Sequence, residues 1–178
     1  METGKITSLF YDFASIIVTG IVAIAVIFTF FFRTADVSGK SMMPTLKNKD
    51  VLMITAHETN IKNGDIVIIT QPNAFNEPLV KRVIATEGQT IDIDFEQGIV
   101  TVDGQELQED YIAEKTHISE DFEGPVTVPE GCVFVMGDNR NNSTDSRSNM
   151  VGFIDTHYIY GKVLGRILPY GSWDVYNK

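Results

Sequence analysis

The pattern of apolar and polar positions divides this chain into an apolar amino-terminal stretch and a longer region of short alternating runs. Residues 13–32 carry no charge and are followed directly by Arg33. A helix of about 20 apolar residues spans the roughly 30 Å hydrocarbon core of a bilayer. The pattern therefore predicts a single membrane-spanning helix at 13–32, preceded by a short tail at 1–12.

A cleavable signal peptide is the alternative interpretation of this apolar stretch. Its apolar region is usually about 7–15 residues long and ends in small residues, whereas this run is longer and ends in three phenylalanines. The comparison favours a retained anchor. Basic residues stand on both sides of the run, Lys5 before it and Arg33 after it, so the local charges leave the orientation in the membrane open.

After residue 50 the chain consists of short runs rich in Val, Ile, Phe and Tyr, separated by Gly, Pro, Asn and Asp. Such runs are typical of β-strands, and no stretch with helical periodicity competes with them. The predicted strands are 50–54, 65–69, 79–84, 90–94, 99–102, 133–136 and 158–164. We therefore expect a mostly β fold after the anchor, in one domain at 33–178.

A smaller unit is expected within that domain. Residues 91–102 alternate around Glu96-Gln97-Gly98, which is typical of a hairpin. Residues 105–129 are more polar and irregular. These features indicate an inserted β subdomain at about 87–129, between the two halves of a larger sheet.

Composition removes several classes of function. The chain has 178 residues and a net charge of -10, so it has room for one domain plus an attachment segment, and long-range attraction to nucleic acid is disfavoured. The one cysteine, Cys132, lies in an apolar run that favours burial. Because His57, His117 and His157 are widely separated, no metal site and no cofactor are expected.

A dense polar segment follows the strand predicted at 133–136. Residues 137–147 read GDNRNNSTDSR and contain almost no apolar side chain that could build a core. Such a density of Asp, Asn, Arg and Ser at a strand end is typical of a braced active-site loop. The alternative interpretation is a solvated loop of unpaired charges.

A candidate nucleophile, Ser41, lies shortly after the apolar run in the segment SGKSMMPTL. Gly39 permits an unusual backbone dihedral before Ser41, and Pro44 stiffens the backbone after it, which suits a hydroxyl presented on a strained turn. The alternative is a juxtamembrane turn whose methionines touch lipid. Met42 is expected to pack against substrate, membrane or core.

A candidate base, Lys81, has apolar neighbours on both sides and Arg82 beside it. Adjacent residues of a strand point to opposite faces, so the two cations do not share an environment. A lysine with an ordinary pKa of about 10.4 is protonated at neutral pH, and burial lowers that pKa. The alternative is an exposed pair on an edge strand.

Together, the three segments SGKSMMPTL, VKRV and GDNRNNSTDSR resemble the signature motifs of the bacterial type I signal peptidases. These are membrane-bound serine/lysine endopeptidases that remove signal peptides from secreted preproteins. The resemblance covers nearly the whole chain after the first dozen residues. It implies a β-rich catalytic domain interrupted by a smaller, more variable subdomain.

The resemblance also implies a role for each matching residue. Ser41 is the expected nucleophile and Lys81 the expected general base, with Ser143 orienting the lysine. Two ion pairs are expected to brace the site, Asp145 with Arg147 and Asp138 with Arg82.

One position departs from the pattern of some family members. They carry a serine two residues before the nucleophile whose hydroxyl helps to bind the oxyanion, and this chain has Gly39 there. The backbone N–H of Ser41 then supplies more of the oxyanion hole, or Ser38 or another donor contributes.

The expected partners are membrane lipid and secretory preproteins with Ala-X-Ala-like cleavage sites, and nucleic acid is not expected. The expected location is the cell membrane, single-pass, with the catalytic domain on the extracytoplasmic side. Two alternatives are weighed against this interpretation. A soluble serine/lysine protease of the self-cleaving repressor type does not fit the anchor and the acidic charge, whereas a catalytically silent, membrane-tethered binding protein of the same fold does not fit the intact motifs.

Overall fold

The structure, a computed structural model, describes residues 2–56, 60–169 and 175, with side chains from residue 8 onward. His57 and the last residues of the predicted 33–178 domain therefore lie outside the described residues. The described elements are one α-helix, a single 3₁₀ turn and short strands. They are α1 (Glu2–Phe31), β1 (Phe32–Asp36), β2 (Val51–Thr55), β3 (Ile66–Ile69), β4 (Leu79–Thr86), β5 (Thr90–Asp94), β6 (Ile99–Val102), β7 (Gln105–Glu106), β8 (Val126–Thr127), β9 (Cys132–Met136), β10 (Ile154–Asp155), the 3₁₀ turn (Thr156–Tyr158) and β11 (Ile159–Leu168).

Helix α1 contains the predicted apolar stretch and extends beyond it toward the amino terminus. It begins at Glu2, so the residues expected as a tail are helical from that point, and it ends at Phe31. Its segment Ser8–Phe31 has a mean hydropathy of 2.6 and is long and apolar enough to cross a membrane. The apolar side chains of this segment are exposed rather than packed against the β region.

The larger sheet has seven antiparallel strands in the order β1-β2-β11-β3-β4-β9-β10. The long strand β11 holds the sheet together because it pairs with β2 through its second half and with β3 through its first half. Register shifts interrupt both pairings, which increases the local twist and lets the sheet curl. The predicted mostly β fold with one apolar amino-terminal helix is thereby confirmed.

The smaller sheet has four strands in the order β7-β6-β5-β8, and it lies in the stretch where an insertion was expected. The hairpin predicted at 91–102 forms between β5 and β6, with Ile91 opposite Val102. Its apolar face packs on β4 and β9 of the larger sheet. The shared core contains Ile84, Ile91, Ile93, Val100, Val102, Phe134 and Met136.

Strand β4 is buried on both of its faces because a core lies on each side of it. Its central residues, Lys81 to Ala85, are all buried. Lys81 lies opposite Val67 of β3, while Arg82 lies opposite Ile66 of β3 and Met136 of β9. Two cations in a strand buried on both faces each need a dedicated polar partner.

Candidate active site

A cleft of about 590 Å³ opens at one side of the larger sheet and contains both Ser41 and Lys81. Its walls come from the start of the chain after α1 and from the segment that leads into β4. The lining residues are Ala35, Asp36, Val37, Ser38, Gly39, Ser41, Met42, Ile68, Thr70, Glu77, Pro78, Leu79, Val80, Lys81 and Tyr160.

Ser41 lies in a tight turn whose backbone is held by several hydrogen bonds. Gly39 has a φ of 93°, which a side chain rarely permits, and its N–H donates to Asn48 Oδ1 at 3.1 Å. The N–H of Met43 donates to the Lys40 carbonyl oxygen at 3.1 Å. Ser41 itself is half-buried and lines the cleft.

Met42 anchors this turn in the protein interior. Its side chain is 2% exposed and packs with Val37 and Leu46 in the core beneath β2 and β3. It also lines the cleft, so its side chain contacts both the core and the cleft. Pro44 follows Met43 through a cis peptide bond.

Lys81 is 3% exposed and donates a hydrogen bond from Nζ to Ser143 Oγ at 3.1 Å. Burial lowers the pKa of Lys81 below its ordinary value. The neighbouring Asp145 acts in the opposite direction and Arg147 in the same direction as burial. Desolvation is the largest contribution, so at a given pH Lys81 is neutral more often than an exposed lysine.

Asp145 does not face Lys81 unpaired, because Arg147 holds both of its carboxylate oxygens. Arg147 Nε donates to Asp145 Oδ1 at 2.8 Å and Arg147 Nη2 to Asp145 Oδ2 at 2.9 Å, and both side chains are fully buried. Asp145 Oδ2 also accepts from the Gly137 N–H at 2.9 Å. This arrangement closes the 137–147 loop on itself at its base.

Asp138 forms the second expected pair. Arg82 Nε and Nη2 donate to the two Asp138 oxygens at 2.8 and 2.7 Å, which is the bidentate geometry of a strong pair. Thr45, four residues after Ser41, donates from Oγ1 to Asp138 Oδ2 at 2.5 Å. One buried carboxylate therefore joins the strand of Lys81 to the turn of Ser41.

Gly137 lies where the 137–147 loop and the turn of Ser41 approach each other closely. A Cβ at this position would overlap the Ser143 hydroxyl and would lie 2.5 Å from the Ser41 carbonyl oxygen. The absence of a side chain at Gly137 thus permits the two serines to share this space.

The sequence did not indicate a role for Tyr111, which lies in the segment between β7 and β8. The guanidinium carbon of Arg82 lies 3.9 Å from the centroid of the Tyr111 ring, and that of Arg140 lies 5.8 Å from it. Glu109 accepts from the Tyr111 hydroxyl at 3.2 Å and pairs with Arg140 at 2.6 Å. Burial raises the pKa of Tyr111 to about 12.

Tyr111 lies in the polar, irregular part of the insertion, and no motif marks it. A tyrosine beside acidic residues in such a stretch is equally compatible with a solvated loop. Only the folded structure reveals that its ring covers the buried guanidinium of Arg82.

Cys132 is only partly buried, so the expectation of a buried small hydrophobe was too strong. It begins β9 and pairs with Asp155 of the short edge strand β10, where the sheet meets solvent. Burial raises the pKa of its thiol. His117 and His157 are exposed and lie outside the cleft.

Comparison with known proteins gives consistent results. The sequence model of a family described as signal peptidase, peptidase S26, matches residues 10–168. The chain is 40% identical over 143 residues to a probable signal peptidase I-1 of Synechocystis sp., which covers 75% of this chain and 69% of the relative. It is 35% identical over 150 residues to a signal peptidase I of Bacillus amyloliquefaciens, covering 78% of each.

A solved structure is also similar. It is a signal peptidase I from Enterococcus faecalis, with a TM-score of 0.47 and 29% identity, and the match covers 60% of this chain and 98% of that one.

Proposed function

The chain belongs to the signal peptidase family, peptidase S26, and from this premise we propose that it cleaves preproteins with Ser41 as nucleophile and Lys81 as general base. Membership makes it a peptidase that acts on signal peptides and associates with membranes. The observation that carries the catalytic assignment is the buried Lys81 in the same cleft as Ser41, held by Ser143.

The reaction begins with transfer of the Ser41 hydroxyl proton to the neutral amine of Lys81. Ser41 Oγ bonds to the scissile carbonyl carbon, and the carbonyl π electrons move to its oxygen. When the tetrahedral intermediate collapses, Lys81 returns the proton to the leaving amine. Water then hydrolyses the acyl-enzyme with Lys81 again acting as the base.

The environment of Lys81 supports this role. A neutral amine can accept the Ser41 proton, and burial favours the neutral form. Pairing of Asp138 with Arg82 and of Asp145 with Arg147 offsets the two carboxylates that would otherwise stabilise the ammonium. Ser143 holds the amine by accepting one of its hydrogens.

The backbone N–H of Ser41 is the proposed donor to the oxyanion. Within the described part of the chain it has no hydrogen-bond partner, so it is available to the substrate carbonyl oxygen. Gly39 supplies no hydroxyl there, and its N–H is already engaged by Asn48. Ser38 lines the same cleft and is the proposed second donor.

The substrate is proposed to lie extended along the cleft beside β1, the edge strand of the larger sheet. Ala35, Val37, Ile68 and Val80 make this part of the wall apolar. Apolar walls suit small apolar side chains such as those of Ala-X-Ala at the first and third positions before the cut.

The anchor and its orientation complete the proposal. Segment Ser8–Phe31 spans the membrane once, and residues 33–178, with an insertion at about 87–129, form the catalytic domain on the extracytoplasmic side. The short connection from α1 to the cleft supports action close to the membrane surface, where a translocated signal peptide emerges.

A preprotein cleavage assay with purified full-length protein in detergent tests the assignment. The wild type is expected to release the mature protein, with the cut after Ala-X-Ala established by mass spectrometry. Ser41→Ala and Lys81→Ala should each abolish release, and the double variant should be scarcely worse because the two residues act as a unit. Ser15→Ala and Lys62→Ala, exposed residues outside the cleft, serve as matched controls.

Substantial release by Lys81→Ala would reject the base assignment, and binding without turnover by the wild type would favour a silent binding protein.

Externally added protease tests the topology in spheroplasts. It should cut the region after Arg33, whereas protection of that region until the membrane is broken would reject the extracytoplasmic site.

A further inference from the structure

Asn139 contacts the nucleophile turn at two successive carbonyl groups. Its side-chain Nδ2 donates to the Lys40 carbonyl oxygen at 3.1 Å, and its backbone N–H donates to the Ser41 carbonyl oxygen at 2.9 Å. A carbonyl oxygen only accepts, so the amide nitrogen of Asn139 must face Lys40. Asn139 does not line the cleft, so it contacts the turn from outside the cleft.

The Lys40 carbonyl and the Ser41 N–H belong to one planar peptide unit. This peptide is trans, so its N–H points away from its carbonyl oxygen. A carbonyl held against Asn139 therefore directs the Ser41 N–H away from Asn139. Hydrogen bonding to the carbonyl also polarises the peptide, which strengthens its N–H as a donor.

Two donors hold the Lys40 carbonyl oxygen, the Asn139 amide and the Met43 N–H. The Met43 bond lies within the turn and moves with it. Asn139 instead belongs to the 137–147 loop, where the N–H of Asn142 donates to its carbonyl oxygen at 2.8 Å. Within the same loop, Arg147 pairs with Asp145 and donates to the Arg140 carbonyl oxygen at 2.7 Å. Of these two donors, Asn139 is therefore the one that holds the Lys40–Ser41 peptide from outside the turn.

We propose that Asn139 is a positioning residue for the oxyanion hole, acting through the Lys40 carbonyl to aim the Ser41 N–H at the substrate carbonyl oxygen. The inference rests on the proposed function, since it requires Ser41 to be the nucleophile. Asn139 contacts no reacting atom. Its effect is confined to the stage at which negative charge develops on the substrate oxygen.

The test compares Asn139→Asp and Asn139→Ala with the wild type on an Ala-X-Ala peptide. Asp keeps the shape but cannot donate, and its charge repels the carbonyl. Both variants keep the hydrogen bond from the backbone N–H of residue 139 to the Ser41 carbonyl oxygen. Because Met43 still holds the carbonyl, kcat should fall by about tenfold, less than the loss on removing an oxyanion donor outright. KM and melting temperature should stay near their wild-type values.

A peptide aldehyde separates positioning from a general structural role. Lys81 takes the Ser41 hydroxyl proton as Ser41 Oγ adds to the aldehyde carbon, the C=O π bond breaks, and its electron pair moves to the oxygen that occupies the oxyanion hole. The aldehyde should bind the Asn139 variants more weakly by the same factor as the fall in kcat/KM. The uncleaved peptide should bind Ser41→Ala and Ser41→Ala/Asn139→Asp equally. Asn139→Gln, which keeps the amide, should recover part of the loss.

Unchanged aldehyde affinity, or equal weakening of aldehyde and uncleaved peptide, would overturn the inference. Asn63→Asp, an exposed residue far along the chain, controls for the added charge. Failure of the proposed function has a different signature, because wild-type protein would then show no cleavage that depends on Ser41.

Discussion

The side-chain nitrogen of Lys81 donates a hydrogen bond to the Ser143 hydroxyl oxygen at 3.1 Å, and both side chains are buried. This bond uses one amine hydrogen and leaves the lone pair of a neutral lysine free to accept a proton. Ser143 is itself confined by Gly137, whose backbone leaves no room for a Cβ. The lysine is therefore held at a set position by a short polar side chain rather than by a carboxylate.

Ser143→Ala should lower kcat by about 10–100-fold, because the neutral amine loses the group that orients it. The melting temperature should change little, because Lys81 lines the cleft and water there can replace the lost hydroxyl as hydrogen-bond acceptor. Ser146→Ala in the same loop is the matched control. It removes the acceptor of the buried Val135 N–H and should lower the unfolding free energy by about 1–3 kcal/mol. Unfolding of Ser143→Ala would contradict the orienting role.

Cleavage should become faster as pH rises through the lowered pKa of Lys81. Below that pKa the rate should fall by about tenfold per pH unit, because only the neutral amine can accept the Ser41 proton. The measurement is kcat/KM for an Ala-X-Ala peptide against pH, with and without EDTA. Thiol reagents should leave the rate unchanged, because Cys132 lies outside the cleft. EDTA should also leave it unchanged, because the proposed mechanism uses no metal ion. An acid optimum would reject a lysine base.

Lys81→Met should abolish cleavage and raise the melting temperature at neutral pH. The unfolded chain keeps lysine protonated up to a pKa of about 10.4, whereas burial lowers the pKa of Lys81 in the folded protein. Between the two values folding releases a proton, so the wild type gains stability as pH rises. The advantage of Lys81→Met should accordingly shrink toward high pH. A difference that grows with pH would contradict this account.

Arg82→Ala should lower activity and stability together, because it leaves the fully buried Asp138 carboxylate unpaired. We expect a loss of roughly 3–5 kcal/mol in the unfolding free energy. Arg82→Lys should restore little, since lysine replaces neither the bidentate pair nor the stack on Tyr111. Lys162→Ala breaks a more exposed pair with Asp65 and should cost about 1 kcal/mol or less. Chemical denaturation of the purified variants measures each loss.

Gly137→Ala should be inactive and less stable, because its Cβ would enter the space shared by Ser143 and the Ser41 carbonyl. We expect a loss of about 1–3 kcal/mol from overpacking. Gly20→Ala in α1, with no atom within 4 Å of the added Cβ, is the control. Normal cleavage by Gly137→Ala would show that the two serines do not need this close approach.

The seven strands predicted from the sequence all form, because each is a run of β-branched and aromatic residues bounded by turn residues. Four others could not be predicted in this way. Strands β7, β8 and β10 have two residues each, too few to show an alternating pattern. Strand β1 reads FRTAD and becomes a strand through full pairing with β2 at the sheet edge.

The site was predictable where a short motif carries it and unpredictable where the fold assembles it. The motifs identify Ser41, Lys81 and the polar loop, but no pattern in the sequence places Tyr111 over Arg82. That contact joins β4 to the irregular segment between β7 and β8, so it depends on how this segment packs on the larger sheet. Asn139 was visible within the loop, yet its role depends on which carbonyl its amide faces.

Helix α1 passes into β1 without any intervening loop, since one ends at Phe31 and the other begins at Phe32. The Ala56 N–H donates to the Phe31 carbonyl oxygen at 3.0 Å, which ties this junction to the end of β2. From Phe32 to Ser41 the chain can span at most roughly 30 Å. With α1 across a bilayer, this short connection limits the distance between Ser41 and the membrane surface. A matching cleavage sequence that lies farther from the membrane would then be out of reach of Ser41.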